Sequence, residues 1–429
     1  MSEVRIKPAQ RDAIIQSLRA GVVPRAGLQH FQVGRVSEIQ SLIKDIDRVA
    51  GGGSAFRVIV GDYGAGKTFF LNLVRSIALE KKLVTANADI TPDRRLHASE
   101  GQARSLYTEL MRNLATRARP DGGALPGIVE KFVGSAKDEA EANSVTPESI
   151  IQSRLRSLEE LVNGYDFAAV IEKYWEGFSQ GNDELVRNAE KWLRGEFTTK
   201  TDARVALGVR TIINDGNVYD HLKLFARFVR LAGYSGLLVT LDELVILFKL
   251  PSSQARNSNY EQILRILNDS MQGTCEGLGV LLGGTPEFLV DPRKGMYSYQ
   301  ALASRLGENT FATQGLVDNS GPVLRLKNLG PEDMYVLLQR LRNVFAGGDE
   351  SRYLVPDEAF KAFIEHCGKR IGDSYFRTPR NTIKAFLDLL AILEQNPEAD
   401  WTDLIGQTKI GKESLTLEDD ADGLTTLRI

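Results

Sequence analysis

The octapeptide GDYGAGKT, Gly61 to Thr68, constrains the fold of this chain more than any other feature. It matches the pattern G-x-x-x-x-G-K-[ST] in full. The apolar run FRVIV enters it, and FFLNLVRSIAL leaves it with the spacing of an amphipathic helix. The segment therefore reads as strand (Phe56 to Val60), loop and helix (Lys67 to Lys81). A loop of this kind turns backbone N–H groups toward the β-phosphate of a nucleotide, and the positive end of the following helix faces the same anion. Gly61, Gly64 and Gly66 are expected to take positive φ and to allow close approach, with Asp62, Tyr63 and Ala65 between them. Lys67 reaches the β- and γ-phosphates, Thr68 offers its hydroxyl to Mg²⁺, and Phe69 continues the helix. Such a unit needs a sheet covered by helices, which sets the class at α/β.

A second constraint is GLLVTLDELV, an apolar run ending in Asp242 and Glu243. A buried strand that ends in two carboxylates is costly unless they meet a cation or a positioned water. Asp242 suits a direct or water-bridged Mg²⁺ partner, and Glu243 suits the group that polarises the attacking water. About 175 residues separate Lys67 from Asp242, much more than one strand–helix–strand unit requires. Charged, periodic, helical sequence fills most of that gap from Thr91 to Ala232, so a long helical insertion in the sheet domain is expected. Further strands are predicted at Leu83 to Asp89, at GLGVLLGGTPEFL and at Val323 to Lys327. Helices are predicted from Pro8 to Arg19 and from Ser37, its N-cap, to Ala50.

Other positions are open to two readings. Thr285, at the end of the GVLLGG strand, could hold a polar group near the γ-phosphate or simply make a Gly-Thr-Pro turn. Arg305 could act as an arginine finger on a neighbouring subunit's nucleotide or be a solvated helix residue, with Arg293 as rival. Arg380 follows Pro379 at the start of an amphipathic helix and could sense phosphate. In HFQVGR, Val33 and Gly34 could pack against a base with Arg35 nearby, or form a plain turn. The stretch HLKLFARFVRLAG is read as a core helix with a charged outer face rather than a nucleic-acid surface.

Composition excludes several classes. A net charge of −3 argues against a protein held on DNA by a broad basic face. Two cysteines, Cys275 and Cys367, far apart in sequence, exclude a disulfide framework and a cysteine-rich zinc site, and four scattered histidines offer no metal triad. No apolar run approaches the roughly 18–20 residues that span a bilayer, so a soluble cytoplasmic chain without membrane contact is expected.

Taken in order, VGR, GDYGAGKT, LLVTLDE, GGTPE, SRL and TPR resemble the AAA+ ATPases, in particular the branch of the origin-recognition and Cdc6-like proteins. With the segments SLRAGVVPRAGLQHFQVGR and LAGYSGLLVTLDELVIL, the chain is more narrowly similar to the ATP-binding proteins of bacterial BREX phage-defence systems, over roughly residues 10–405. Read together with the resemblance, the residues divide into an N-terminal helical segment (1–30) and a parallel P-loop (AAA+) sheet domain over 31–330, interrupted at about 100–232 by a helical insert that has no counterpart in simple AAA+ modules. A helical lid domain over 331–405 and an acidic tail over 406–429 follow. The resemblance implies ATP and Mg²⁺ as cofactors, Thr285 as sensor 1, Arg305 as the finger, Arg380 as sensor 2, and frequent homo-oligomeric assembly.

About 35 residues follow Leu393, too few for the winged-helix domain of initiator relatives, so DNA contact is expected to be indirect or assembly-dependent. The insert is the candidate for binding other defence-system proteins. The expected function is Mg²⁺-dependent ATP binding and hydrolysis that drives conformational change in a multiprotein anti-phage system. A nucleotide-gated scaffold with negligible hydrolysis, or an oligomeric DNA-associated motor or loader, is the alternative.

Overall fold

The computed structural model describes residues 5–24, 26–311, 318–371 and 379–407. Five strands, β1 (Ala55–Val60), β2 (Val84–Asp89), β3 (Leu237–Asp242), β4 (Leu278–Gly284) and β5 (Val323–Arg325), form one sheet in the order β2-β3-β4-β1-β5. Every pairing is parallel. β1, β3 and β4 are buried along their whole length, which is why their sequences read as near-continuous apolar runs rather than alternating ones. Successive residues of β1 serve opposite faces. Phe56, Val58 and Val60 enter the core shared with the insert helices, while Ala55 and Ile59 meet Leu42, Ile46, Phe70 and Val74. The α/β class and the parallel sheet with helical additions are thus those expected from the sequence.

Arg57 breaks the apolar run of β1 on the second face. Its Nε donates to Asp45 of the helix Val36–Ala50 at 2.6 Å and its Nη2 to Ser41 Oγ at 3.2 Å, while Nη1 reaches the Gly321 carbonyl. Both members of the ion pair are buried, and the additional hydrogen bonds are what make such burial tolerable. That helix begins at Val36 rather than Ser37. Arg35, in the left-handed conformation at φ 58°, precedes it, and Ser37 bonds Glu38 instead of capping. The helix Pro8–Arg19 has both predicted ends, while some other ends move by one or two residues: β2 starts at Val84 and β5 stops at Arg325.

Between β2 and β3 the chain forms helices from Gln102–Arg112 to Val218–Leu231. Several start where the sequence supplies a cap: Thr146 accepts from Ser149 N, Asn182 from Leu185 N and Thr199 from Asp202 N. Their apolar faces converge on one core, with Phe228 tilted against Phe132 at 5.1 Å and edge-on to Phe167 at 5.5 Å. The HLKLFARFVRLAG helix buries Leu222, Leu224, Phe225, Phe228 and Val229, so it is a core helix.

The chain divides into two compact units, one running from Arg35 to Lys327 and the other joining residues up to Gly34 with those from Asn328 onward. The sequence division set residues 1–30 apart; the helix Pro8–Arg19 instead lies within the second unit, against the helix Pro379–Gln395. Arg19 pairs with Asp388 at 2.8 Å, and Arg11 with Glu394 at 3.2 Å. Phe360, Phe363 and Phe386 form its aromatic centre. Residues 408–429, most of the acidic tail, lie outside the described residues, as does Thr378 of the TPR motif. Among the described residues no helix is long and apolar enough to cross a membrane.

Candidate functional site

The loop between β1 and the helix Lys67–Glu80 sits at the C-terminal edge of the sheet, where the ends of β3 and β4 also lie. Gly64 and Gly66 take positive φ, 77° and 80°, as the tight loop demands. Gly61 does not adopt the left-handed conformation expected of it. It is needed for space, since a Cβ there would press on Leu326 Cβ at 3.3 Å and Lys67 Cγ at 3.4 Å. Asp62 and Tyr63 are exposed, Ala65 is buried beneath the loop, and Phe69 lies in the first turn of the helix. Lys67 folds over the loop, its Nζ donating to the carbonyls of Gly61 and Asp62 at 2.9 Å each. Burial lowers the Lys67 ammonium from its ordinary value, against the opposing pull of Asp242, Glu243, Asp62 and Glu287.

The two acids at the end of β3 differ in their surroundings. Asp242 is buried, and its Oδ2 accepts a 2.8 Å hydrogen bond from Thr68 Oγ1, 174 residues earlier in the chain. Its Oδ1 accepts from the Glu243 amide at 2.9 Å. Glu243 is exposed and held at φ 57°, a left-handed conformation that a residue with a side chain rarely adopts. Partial desolvation raises the Glu243 carboxyl above its usual range, reinforced by Asp242 and Asp89 and opposed by Lys67. Thr68, Asp242 and Glu243 offer only oxygens, the donor type preferred by a hard divalent cation. Among the described residues no group of three or more His, Cys, Asp or Glu is arranged to hold a metal. A cation held by one or two side chains, with phosphate and water supplying the rest, is compatible with that.

Two charged residues near these acids, Asp89 and Arg94, were not singled out from the sequence. Asp89 ends β2 in register with Asp242, and burial, Asp242 and Glu109 raise its carboxyl, with Arg94 opposing. Arg94 in turn pairs with Glu109 of the insert helix Gln102–Arg112 at 3.2 Å. An acid closing a strand, as in VTANAD, was the available signal; that β2 would neighbour β3 was not.

The weaker candidates differ in their surroundings, and Thr285 follows Gly284, whose carbonyl accepts from the Gly61 amide of the loop at 3.3 Å. Thr285 Oγ1 accepts from the Phe288 amide at 3.4 Å and so caps the short helix Pro286–Val290. Arg305 is exposed and donates to the carbonyl of Ala301 on its own helix at 3.0 Å. Arg293 is exposed in the turn accepted by Asp291. Arg35 does reach the loop, its guanidinium bonding the carbonyls of Ala65 and Gly66. Val33, Gly34 and Arg380 belong to the other unit, where Gly34 lies against Asp333 and the Arg380 stem against Gly21.

A family model for BREX system ATP-binding proteins BrxC/D matches residues 6–409. The chain belongs to that family. Membership makes ATP the nucleotide for this chain and phage defence its setting. The match runs over the span in which the sequence resemblance was seen. A search of curated proteins returns no match.

Proposed function

We propose that the chain is a Mg²⁺-dependent, AAA+-type ATPase that binds ATP on Gly61–Thr68 and hydrolyses it. The observation that carries this reading is the 2.8 Å contact between Thr68 Oγ1 and Asp242 Oδ2. It joins the hydroxyl that ends the phosphate loop to the acid that ends a neighbouring strand. When bound there with ATP, Mg²⁺ would neutralise charge on the β- and γ-phosphates, with Thr68 and Asp242 as its protein partners. Lys67 is placed to exchange its two loop carbonyls for phosphate oxygens. Glu243 then orients a water and takes its proton as the water oxygen attacks the γ-phosphorus; the bridging P–O bond breaks and ADP leaves.

In this reading Thr285 and Arg380 respond to the nucleotide state, Arg305 serves a neighbouring copy, and the resulting conformational change is transmitted to other defence-system proteins. The insert is the surface offered to them, and DNA is engaged indirectly or through assembly. Lys67→Ala is expected to abolish ATP binding by calorimetry. Glu243→Gln is expected to keep binding but slow single-turnover hydrolysis about a hundredfold or more. Equal hydrolysis rates for wild type and Glu243→Gln would refute the role given to Glu243, and a scaffold that only binds ATP would then be the better reading.

A further inference from the structure

Arg35 stood in the sequence as a neighbour of a base-packing turn, yet its own contacts are with the phosphate loop. Its backbone is left-handed, φ 58° and ψ 30°, just before the helix Val36–Ala50. From there the side chain turns toward the loop. Nη2 donates to the Ala65 carbonyl in the tightest of its contacts, and Nη1 reaches the Gly66 carbonyl at 3.5 Å. Nη2 also lies 3.5 Å from the carbonyl of Lys327, in the segment leaving β5. The guanidinium rests 5.8 Å from the ring centroid of Phe70, which is buried in the helix that follows the loop.

The geometry of the peptide unit gives these contacts a consequence. Each peptide is planar and trans, so its C=O and N–H point in opposite directions. The Gly66 carbonyl also accepts the Phe70 amide at 3.0 Å, so the Ala65 carbonyl is the one that Arg35 chiefly holds, and with it turned toward Arg35 the Gly66 N–H points the opposite way, to where an anion would sit. Gly66, at φ 80°, joins the two peptides, and a glycine has the most freedom to let them rotate. A rigid, permanently charged fork is suited to spanning two consecutive carbonyls; a lysine ammonium is not.

We infer that Arg35 is a positioning residue for the phosphate loop: it sets the donors that meet the phosphates and does not read the base. The inference rests on the assignment of Gly61–Thr68 as the ATP site. Its test is calorimetric titration of the full chain with ATP and, separately, with inorganic tripolyphosphate, both with Mg²⁺. Wild type, Arg35→Ala, Arg35→Lys and Lys67→Ala are compared, with the melting temperature of each nucleotide-free protein.

Arg35→Ala is expected to weaken both ligands by the same factor, about ten- to a hundredfold, the value of a charge-assisted hydrogen bond. Its nucleotide-free melting temperature should stay near that of wild type. Arg35→Lys should recover only part of the affinity. Unchanged affinity in Arg35→Ala, a loss confined to ATP, or full recovery with lysine each overturns the inference. If Arg35→Ala does not fold, Arg35→Lys decides alone: wild-type affinity for both ligands overturns, and a matched loss supports. Wild type that fails to bind ATP, or Lys67→Ala that binds as well as wild type, overturns the ATP site itself and this inference with it. Undiminished Arg35→Ala beside a disabled Lys67→Ala overturns this inference alone.

Discussion

A Cβ added to Gly283 would collide with the Asp242 carboxylate and approach Leu71 Cδ1 to 3.0 Å. The glycine pair in GVLLGG was visible in the sequence as a lead-in to Thr285, but its use is different. Gly283 leaves the room in which Asp242 turns toward Thr68, and only the adjacency of β3 and β4 reveals it. Gly283→Ala is therefore expected to displace Asp242 while the strands still pair. The Mg²⁺ concentration for half-maximal hydrolysis should rise roughly ten- to a hundredfold, as it does when support for a metal ligand is lost. A Mg²⁺ titration of ATPase activity checks this; an unaltered midpoint would mean that Asp242 does not depend on that space. Lys67, Thr68, Asp242 and Glu243 could be proposed from the sequence because each stands in a motif whose residue type and spacing suggest its chemistry, and the structure brings Thr68 and Asp242 into contact. Asp89 was not singled out, because only the pairing of β2 with β3 sets it beside Asp242.

Within the helix Val218–Leu231, His221 is fully buried and donates from Nδ1 to the Asn217 carbonyl at 3.0 Å, packed edge-on to Trp192 at 5.6 Å. Burial lowers its pKa from 6.5, and the Asn217 carbonyl, Asp220 and Asp166 oppose the shift only in part. Below pH 6.5 the unfolded chain takes up a proton that the folded chain refuses. Stability is therefore complete above that pH and declines on acidification toward the folded-state pKa, by at most about 1.4 kcal/mol per pH unit. Urea unfolding followed by tryptophan fluorescence at pH 7.5 and 5.5 should show a smaller loss for His221→Gln than for wild type; equal losses would exclude His221 as the cause. Periodicity identified this helix and marked the insert as helical, since each helix buries one apolar stripe, but it did not separate the insert's individual helices. It also identified the strands, because apolar runs bounded by glycine and turn residues leave few other choices. Boundaries were less legible where a side chain does something unexpected, as where Arg35 rather than Ser37 precedes the helix Val36–Ala50. Strand order was not legible: nothing in FRVIV says that β1 lies between β4 and β5 and not beside β2.

For the whole molecule, the exposed Arg305 gives the assembly proposal a measurable form. If it completes the site of a second copy, hydrolysis per subunit should increase with protein concentration, and Arg305→Ala should flatten that dependence. A specific rate constant over a hundredfold dilution series would argue against it. The sheet order has a further consequence, in time rather than in space. Neither of the first two strands made can pair with the other: β1 waits for β4 and β5, and β2 waits for β3. The Thr68 hydroxyl emerges from the ribosome 174 residues ahead of the carboxylate it will bond. At about 5–20 residues per second, that interval is roughly ten to thirty-five seconds. Through it β1 has no strand partner and β2 only the bridge from Thr85 to Ala115 at the start of the insert, whose helices are the elements available to cover them. The phosphate loop thus has Arg35 made ahead of it, yet must wait for Asp242.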